Sequence, residues 1–336
     1  MQRFRTRLRT KAYRPDIDTS LTLDFLGMFD SGLDSRITFS RASVASYINS
    51  AGQMTLSSSG QPRFDYDPVT LARKGLLIES ARTNLLLNST INGANLATQS
   101  VSVTAQAYAL TFYGTGSITL SGAHVAVVSG SGAFPTRTQL LFTPSAGTLT
   151  LTVAGTVQYA QLEAGAFATS YIPTAGSSVQ RLAESYSMTG AAFSDWYNVT
   201  EGTLHSTGMF TSDLLLNIPL VIISDNSANE LFSQGLNPAV IIVRDGGVEQ
   251  VRINHIGSTA GSIQSIASTY KVNDFASSRN GGAVGTDTSG TIATPSRIDF
   301  GSSPVSATVR LGGHLRSFEY WPVRLSNAEL VNISAI

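Results

Sequence analysis

The strict alternation Thr148-Leu149-Thr150-Leu151-Thr152-Val153 constrains this chain more than any other feature. A period of two sorts every threonine to one face and every aliphatic residue to the other only in an extended strand; a helix would scatter both around its axis. The same pattern recurs in Val101-Ser102-Val103-Thr104, Ser117-Ile118-Thr119-Leu120, Leu21-Thr22-Leu23-Asp24-Phe25 and Arg36-Ile37-Thr38-Phe39-Ser40. Each is a strand with one wet face. Serine and threonine number 44 and 35, beside 30 glycines and only 13% charged residues, which suits β-sandwiches joined by polar turns rather than a helical bundle. The turns are legible too. Asp245-Gly246-Gly247 separates Val240-Ile241-Ile242-Val243 from the run 248–253, and Arg279-Asn280-Gly281-Gly282 marks a second hairpin, because these residues tolerate positive φ. Ser326-Asn327-Ala328-Glu329 is a capping box, so a short helix should start there.

At 336 residues the chain is long enough for two or three domains. Its formal net charge is zero, but Arg3, Arg5, Arg7, Arg9, Lys11 and Arg14 all precede the first acid, Asp16. In an extended arm the four alternating arginines share one face, with Phe4 and Leu8 opposite, so the arm is suited to lying along an acidic partner. The absence of cysteine excludes disulfides, thiolate metal sites and cysteine nucleophiles. No apolar run approaches the length of a membrane span, and no apolar stretch of the secretory type follows the basic start.

The segment 61–87 reads QPRFDYDPVTLARKGLLIESARTNLLL. Phe64 and Tyr66 alternate with Asp65 and Asp67 until Pro68 stops the strand, and Gly75 opens a short apolar run. Its acids and bases, Arg63, Asp65, Asp67, Glu79 and Arg82, read as an ion-paired structural connector. Two carboxylates alternating on one strand, with no nearby histidine or third acid, make a poor metal site. The elements Pro62 to Pro68, Gly75-Leu76-Leu77-Ile78-Glu79 and Arg82-Thr83-Asn84-Leu85, with Ile37 to Ser43 upstream, resemble a segment that recurs in bacteriophage virion proteins ahead of lectin-like sandwiches. Residues 161–174 resemble the close of a jelly roll of the carbohydrate-binding-module type in the same proteins. Residues 270–290 and 313–322 resemble their concanavalin A-like, laminin-G-type sandwiches. The resemblance implies an all-β chain of two antiparallel sandwiches after an extended N-terminal arm. Its expected divisions are an arm and attachment region at 1–60, a connector at 61–88, a short jelly roll at 89–174, a linker at 175–198 and a concanavalin A-like sandwich at 199–336, the last expected to fold autonomously.

A search for chemistry finds little. The Glu-Asp-Glu strand of glycosidases on concanavalin-like folds is missing, and the pairs Asp245/Glu249 and Asp225/Glu230 read as solvated turn residues. The run 225–230 begins like a calcium loop but has Glu230 where the sharp turn needs glycine. His124, His205, His255 and His314 show no zinc spacing, and no nucleophile elbow or phosphate-binding loop is present. Glycan contact is assigned to the aromatic pairs Trp196-Tyr197 and Tyr320-Trp321, the latter in what reads as a structural last strand.

The expectation is therefore a non-enzymatic phage virion structural protein, part of a tail fibre or similar appendage, without cofactor or metal. Arg3, Arg5, Arg7 and Arg9 would anchor it to other virion proteins, and by analogy with fibres it would be a homotrimer. It would bind a host-surface glycan, with no membrane and no specific nucleic acid as partner. A capsid decoration or neck adaptor protein is the alternative, and a glycan depolymerase a further one.

Overall fold

The computed structural model describes residues 18–214, 218–229 and 231–336, and the strand counts and pairings below refer to these. The arginines Arg3, Arg5, Arg7 and Arg9, and Glu230 of the calcium-like run, lie outside the described residues. The chain is all-β, and every strand pairing is antiparallel. No described helix is long and apolar enough to cross a membrane.

Two sandwiches account for most of the strands. The larger sets an eight-stranded sheet against a seven-stranded one. The eight-stranded sheet runs from Gly285–Asp287 through Phe275–Arg279, Gln264–Lys271, Glu201–Phe210, Gly313–Trp321 and Arg73–Ile78 to Phe64–Tyr66, with Leu21–Asp24 also paired to Gly313–Trp321. The seven-stranded sheet runs from Thr38–Ser40 through Ser185–Thr189, Arg297–Phe300, Ile218–Ser224, Leu231–Leu236 and Ala239–Asp245 to Val248–His255. Between them lies a core built around Leu23, Phe25, Tyr186, Phe210, Ile223, Phe300 and Phe318. The smaller sandwich packs Gln99–Val103, Gly147–Ala154, Ser117–Gly122 and Ala126–Ser129 over Thr138–Phe142, Tyr108–Tyr113 and Gln158–Ala164. Leu149 and Leu151 are fully buried there while Thr152 is exposed, as the alternation requires. The hairpin turn at Gly246 and Gly247 takes φ of 57° and 79°, the turn at Asn280 and Gly281 takes 50° and 69°, and the capping box opens the helix Asn327–Ser334.

The expected divisions do not follow the sheets. Residues 18–60, assigned to the arm and attachment region, supply Leu21–Asp24 to one large sheet and Thr38–Ser40 to the other, together with the hairpin Ala45–Ile48/Met54–Ser57. The 61–88 connector supplies Phe64–Tyr66 and Arg73–Ile78 to the eight-stranded sheet. Gly75 is required there: at φ 123°, a Cβ would stand 2.4 Å from the Leu315 carbonyl oxygen of the neighbouring strand. The 175–198 linker is in fact a strand contributor. Tyr186 and Met188 are fully buried in Ser185–Thr189, and the helix Ala191–Ser194 adds Phe193 to the core. The large sandwich is therefore assembled from both ends of the chain, with the small one inserted between.

This corrects the expectation that 199–336 folds alone. Without the five strands supplied from upstream, the fragment would expose Leu315, Phe318 and Phe300 and leave ladder edges unpaired on both sheets. The isolated fragment 199–336 should show no cooperative thermal transition by circular dichroism, whereas the full chain should; a cooperative melt of the fragment would contradict this assembly.

Candidate functional site

Three charged residues of the 61–87 segment, Arg63, Asp65 and Glu79, are buried. Arg63 is fully buried and donates from Nε to Glu184 Oε1 at 2.8 Å, from Nη2 to Glu79 Oε2 at 2.9 Å, and from Nη1 to the Ser46 carbonyl and Ser170 Oγ at 2.9 and 2.8 Å. Arg41 adds a bond from Nη1 to Glu184 Oε1 at 3.1 Å, and the Arg181 guanidinium lies 3.3 Å from Glu79 and 3.6 Å from Glu184. Glu184 Oε2 also accepts from the backbone N–H of Glu79 at 2.9 Å. Three guanidinium groups and two carboxylates thus form one buried weld. Burial alone would push the Glu79 carboxyl up, but Arg181, Arg63 and the Ser170 donors overcome it and hold the group well below the usual carboxylate range.

The rest of the motif is equally structural. Asn84 is fully buried and uses both ends of its amide: Nδ2 donates to the Ala160 and Ile172 carbonyls, and Oδ1 accepts from the Leu86 and Leu162 N–H groups. It pins the small sandwich to the segment. The Arg82 guanidinium lies over the Phe167 ring and 3.9 Å from Glu163. The ion-paired reading agrees with these contacts for Arg63, Glu79 and Arg82, whereas Asp67 closes its own turn by accepting from the Val69 and Thr70 N–H groups.

The aromatic pairs assigned to glycan contact are also internal. Trp196 is 5% exposed and Tyr320 0%; both sit in the large core, where Trp196 meets the Tyr320 ring edge-on at 4.9 Å. Tyr197 stacks on Tyr270 and Tyr320 at 5.7 and 5.6 Å, and burial pushes its hydroxyl far up. Trp321, 3% exposed, points to the other face of its strand and packs with Leu330 and Ile333 of the terminal helix. The assignment is corrected: Trp196, Tyr320 and Trp321 are buried, and the half-buried Tyr197 spends its ring faces stacking on Phe193, Tyr270 and Tyr320.

A different cleft is open. It lies where the hairpin 45–57, the rim of the small sandwich and the edge of the eight-stranded sheet meet, and it has two lobes. One, of about 490 Å³, is lined by Asn49, Gln53, Met54, Thr55, Phe134 and Tyr159. The other, of about 350 Å³, shares Met54 and Phe134 and adds Tyr47, Lys74, Tyr113, Arg137, Gln139 and His314, with Asp65, Glu79 and Ser170 also on its walls. Both volumes suit a small ligand. The weld therefore borders the cleft.

Local geometry serves the cleft. Tyr159 adopts φ 48°, rare for a side chain of this size, at a bulge between Gln158 and Gln161 in the strand Gln158–Ala164. Its ring lies close to Gly93, where a Cβ would come 2.8 Å from the phenol oxygen. The rings of Tyr113, Phe134 and Tyr159 form one cluster with centroids 5.3 to 6.4 Å apart. In the smaller lobe His314, 1% exposed, bonds through Nε2 to Asp65 Oδ2 at 2.8 Å, and Asp65 Oδ1 accepts from the Ile48 N–H at 2.7 Å. Burial pushes the imidazole down more than Asp65 raises it, while the Asp65 carboxyl, despite its own burial, is drawn down by the His314 bond. The pair is therefore a neutral imidazole donating to a carboxylate, and Nδ1 is left without a partner.

Sequence reasoning missed this cleft. Its only local signals were the Asn49-Ser50-Ala51-Gly52 turn and the lapse of alternation at Gln158-Tyr159-Ala160. Among the described residues no group of three histidine, aspartate or glutamate side chains is placed to hold a metal ion. Asp225 closes its own turn by accepting from Ser227, and Glu249 pairs with Arg252 at 2.6 Å.

No protein-family model matches the chain, and no curated protein matches it in sequence. Among solved structures, the CBM40 of a Ruminococcus gnavus IT-sialidase bound to alpha2,3 sialyllactose is similar over 41% of this chain and 84% of that one, at 16% identity and a TM-score of 0.36. The NanB sialidase of Streptococcus pneumoniae is similar over 44% of this chain and 26% of that one, at 15% identity and a TM-score of 0.37. Botulinum neurotoxin type C, whose cell entry depends on interaction with two ganglioside molecules, is similar over 46% and 40%, at 12% identity and a TM-score of 0.34. These likenesses reach less than half of the chain and fix neither its fold nor its ligand.

The buried ionisable groups set a pH dependence. The imidazole of His314 has a folded pKa below its ordinary 6.5, so under that pH the unfolded chain binds a proton the folded chain refuses, and stability falls as pH falls. Part-buried His255, also pushed down by burial, adds in the same direction. Glu79 and Asp65, likewise depressed, extend the loss below their ordinary values of 4.5 and 3.8. Thermal midpoints should be nearly level above about pH 7 and decline from about pH 6.5 downward, with a shallower decline between about 6.5 and 5 in His314→Gln. Equal slopes in both proteins would remove His314 from this account.

Proposed function

We propose that this chain is a non-enzymatic structural protein of a bacteriophage particle, an appendage component whose interdomain cleft binds a host-surface glycan. The observation that carries the binding reading is the lining of the cleft: aromatic faces at Tyr47, Phe134 and Tyr159 beside amide and charged groups at Asn49, Gln53, Lys74 and Arg137. Sugars present apolar ring faces edged by hydroxyls, and this combination of surfaces answers both. The phage setting is supported by the resemblance of residues 36–87 and of both sandwiches. Neighbouring virion proteins, reached through the basic arm, and a homotrimeric state belong to the same reading.

A non-enzymatic role is supported by the state of the two carboxylates that reach the cleft. Glycosidic cleavage needs a carboxylic acid kept protonated by a raised pKa. Asp65 and Glu79 are both held ionised, one by His314 and the other by Arg181 and Arg63. Neither is available as a proton donor at neutral pH.

The test is a glycan array probed with the purified protein and with Tyr159→Gly. Glycine suits φ 48°, so this variant removes the ring without straining the bulge. Retention of host-surface glycans, weakened several-fold to about tenfold in the variant and unaccompanied by release of reducing ends, is expected. Retention of no glycan, or release of reducing ends abolished by a carboxylate-to-amide change, would overturn the reading. Antibody labelling of particles in the electron microscope tests the virion setting, with label on the appendage expected and unlabelled particles contradicting it.

A further inference from the structure

The cleft carries a cation that no carboxylate of the described residues neutralises. Arg137 lines the smaller lobe beside the shared Phe134, and its Nη2 donates to buried Thr111 Oγ1 at 2.7 Å. That bond fixes the guanidinium in place. No carboxylate of the described residues lies within ion-pair distance of it, and its Nε is buried without a partner. The other arginines around the cleft differ in charge pairing: Arg41, Arg63 and Arg181 each lie within ion-pair distance of Glu79 or Glu184. Lys74, the other cation on this lobe, stands 3.8 Å from Asp65 and is partly engaged.

A guanidinium held by one bond, with Nη1 uncommitted, offers a carboxylate both charge and a directed donor. Phe134 belongs to both lobes, so a ligand lying across it reaches Tyr159 on one side and Arg137 on the other. We infer that the cleft selects a carboxylate-bearing sugar, with the acid group paired to Arg137 and a sugar ring against Phe134 and Tyr159. This rests on the reading of the cleft as a glycan site and goes beyond it by naming the ligand's charge and the residue that selects for it.

The experiment is calorimetric titration of the full chain with oligosaccharides of glucuronate, galacturonate and N-acetylneuraminate, each beside its carboxyl-reduced counterpart. Carboxyl reduction removes the charge and leaves the rings and linkages unchanged. At least one acidic form should bind about tenfold or more tightly than its reduced partner, the worth of a charge-assisted hydrogen bond. Arg137→Gln should erase that preference and Arg137→Lys should keep part of it, with thermal midpoints close to the unsubstituted chain. Binding of acidic and reduced forms alike, weakened in Tyr159→Gly, would overturn the inference and leave the glycan reading standing. A preference for the acid that survives Arg137→Gln and disappears in Lys74→Gln would overturn the assignment to Arg137. Failure of every acidic and every reduced sugar to bind would overturn this inference, and retention of no glycan on the array would overturn the glycan reading beneath it.

Discussion

Glu184 is the side chain on which the arrangement of this molecule depends. Its carboxylate accepts from Arg63, Arg41 and the Glu79 N–H, and its carbonyl oxygen accepts from Arg310 Nε at 2.7 Å. It stands immediately before Ser185–Thr189 of the seven-stranded sheet, while Glu79 follows Arg73–Ile78 of the eight-stranded sheet. Ser46 belongs to the hairpin and Ser170 to the exit of the small sandwich, and both bond to Arg63. Four pieces of structure therefore converge on one desolvated cluster. A buried ion pair adds little when compared with a well-packed apolar substitute, but losing one partner leaves an uncompensated charge and costs about 3–5 kcal/mol. Such a cluster acts mainly by penalising every arrangement in which its members are apart.

The weld and the cleft are the same feature seen from two sides. Glu79 and Ser170 belong to the cluster and also wall the smaller lobe, and the Asp65–His314 pair ties the edge of the large sheet to the hairpin through Ile48. The positions of Phe134, Tyr159 and Arg137 relative to the hairpin are thus set by buried electrostatics rather than by a flexible connector. A binding surface built this way loses little conformational freedom when a ligand arrives.

Much of the fold was legible in the sequence because it is local. Thr148 to Val153, the Asp245-Gly246-Gly247 turn and the Ser326 to Glu329 capping box each carry their structure in a few residues. What was illegible is long-range. Ser185–Thr189 sits in a serine- and glycine-rich stretch that reads as a linker, and its partner strands lie more than 100 residues away. Charged Arg181 and Glu184 look solvent-facing until Arg63 and Glu79, distant in sequence, are placed beside them. The aromatic pairs misled for a related reason: Trp196 and Tyr320 are consecutive to polar residues yet turn inward, one onto the other. The cleft has no motif because three elements distant in sequence build it together.

If the buried cluster joins the two sandwiches into a single cooperative unit, calorimetry of the full chain beside Glu184→Gln tests that most directly. The unsubstituted chain should unfold in one transition with equal calorimetric and van't Hoff enthalpies. Glu184→Gln should separate the small sandwich from the large one into two transitions, the first at a lower temperature. A Glu184→Gln protein that melts in one transition at the unsubstituted midpoint would contradict the account.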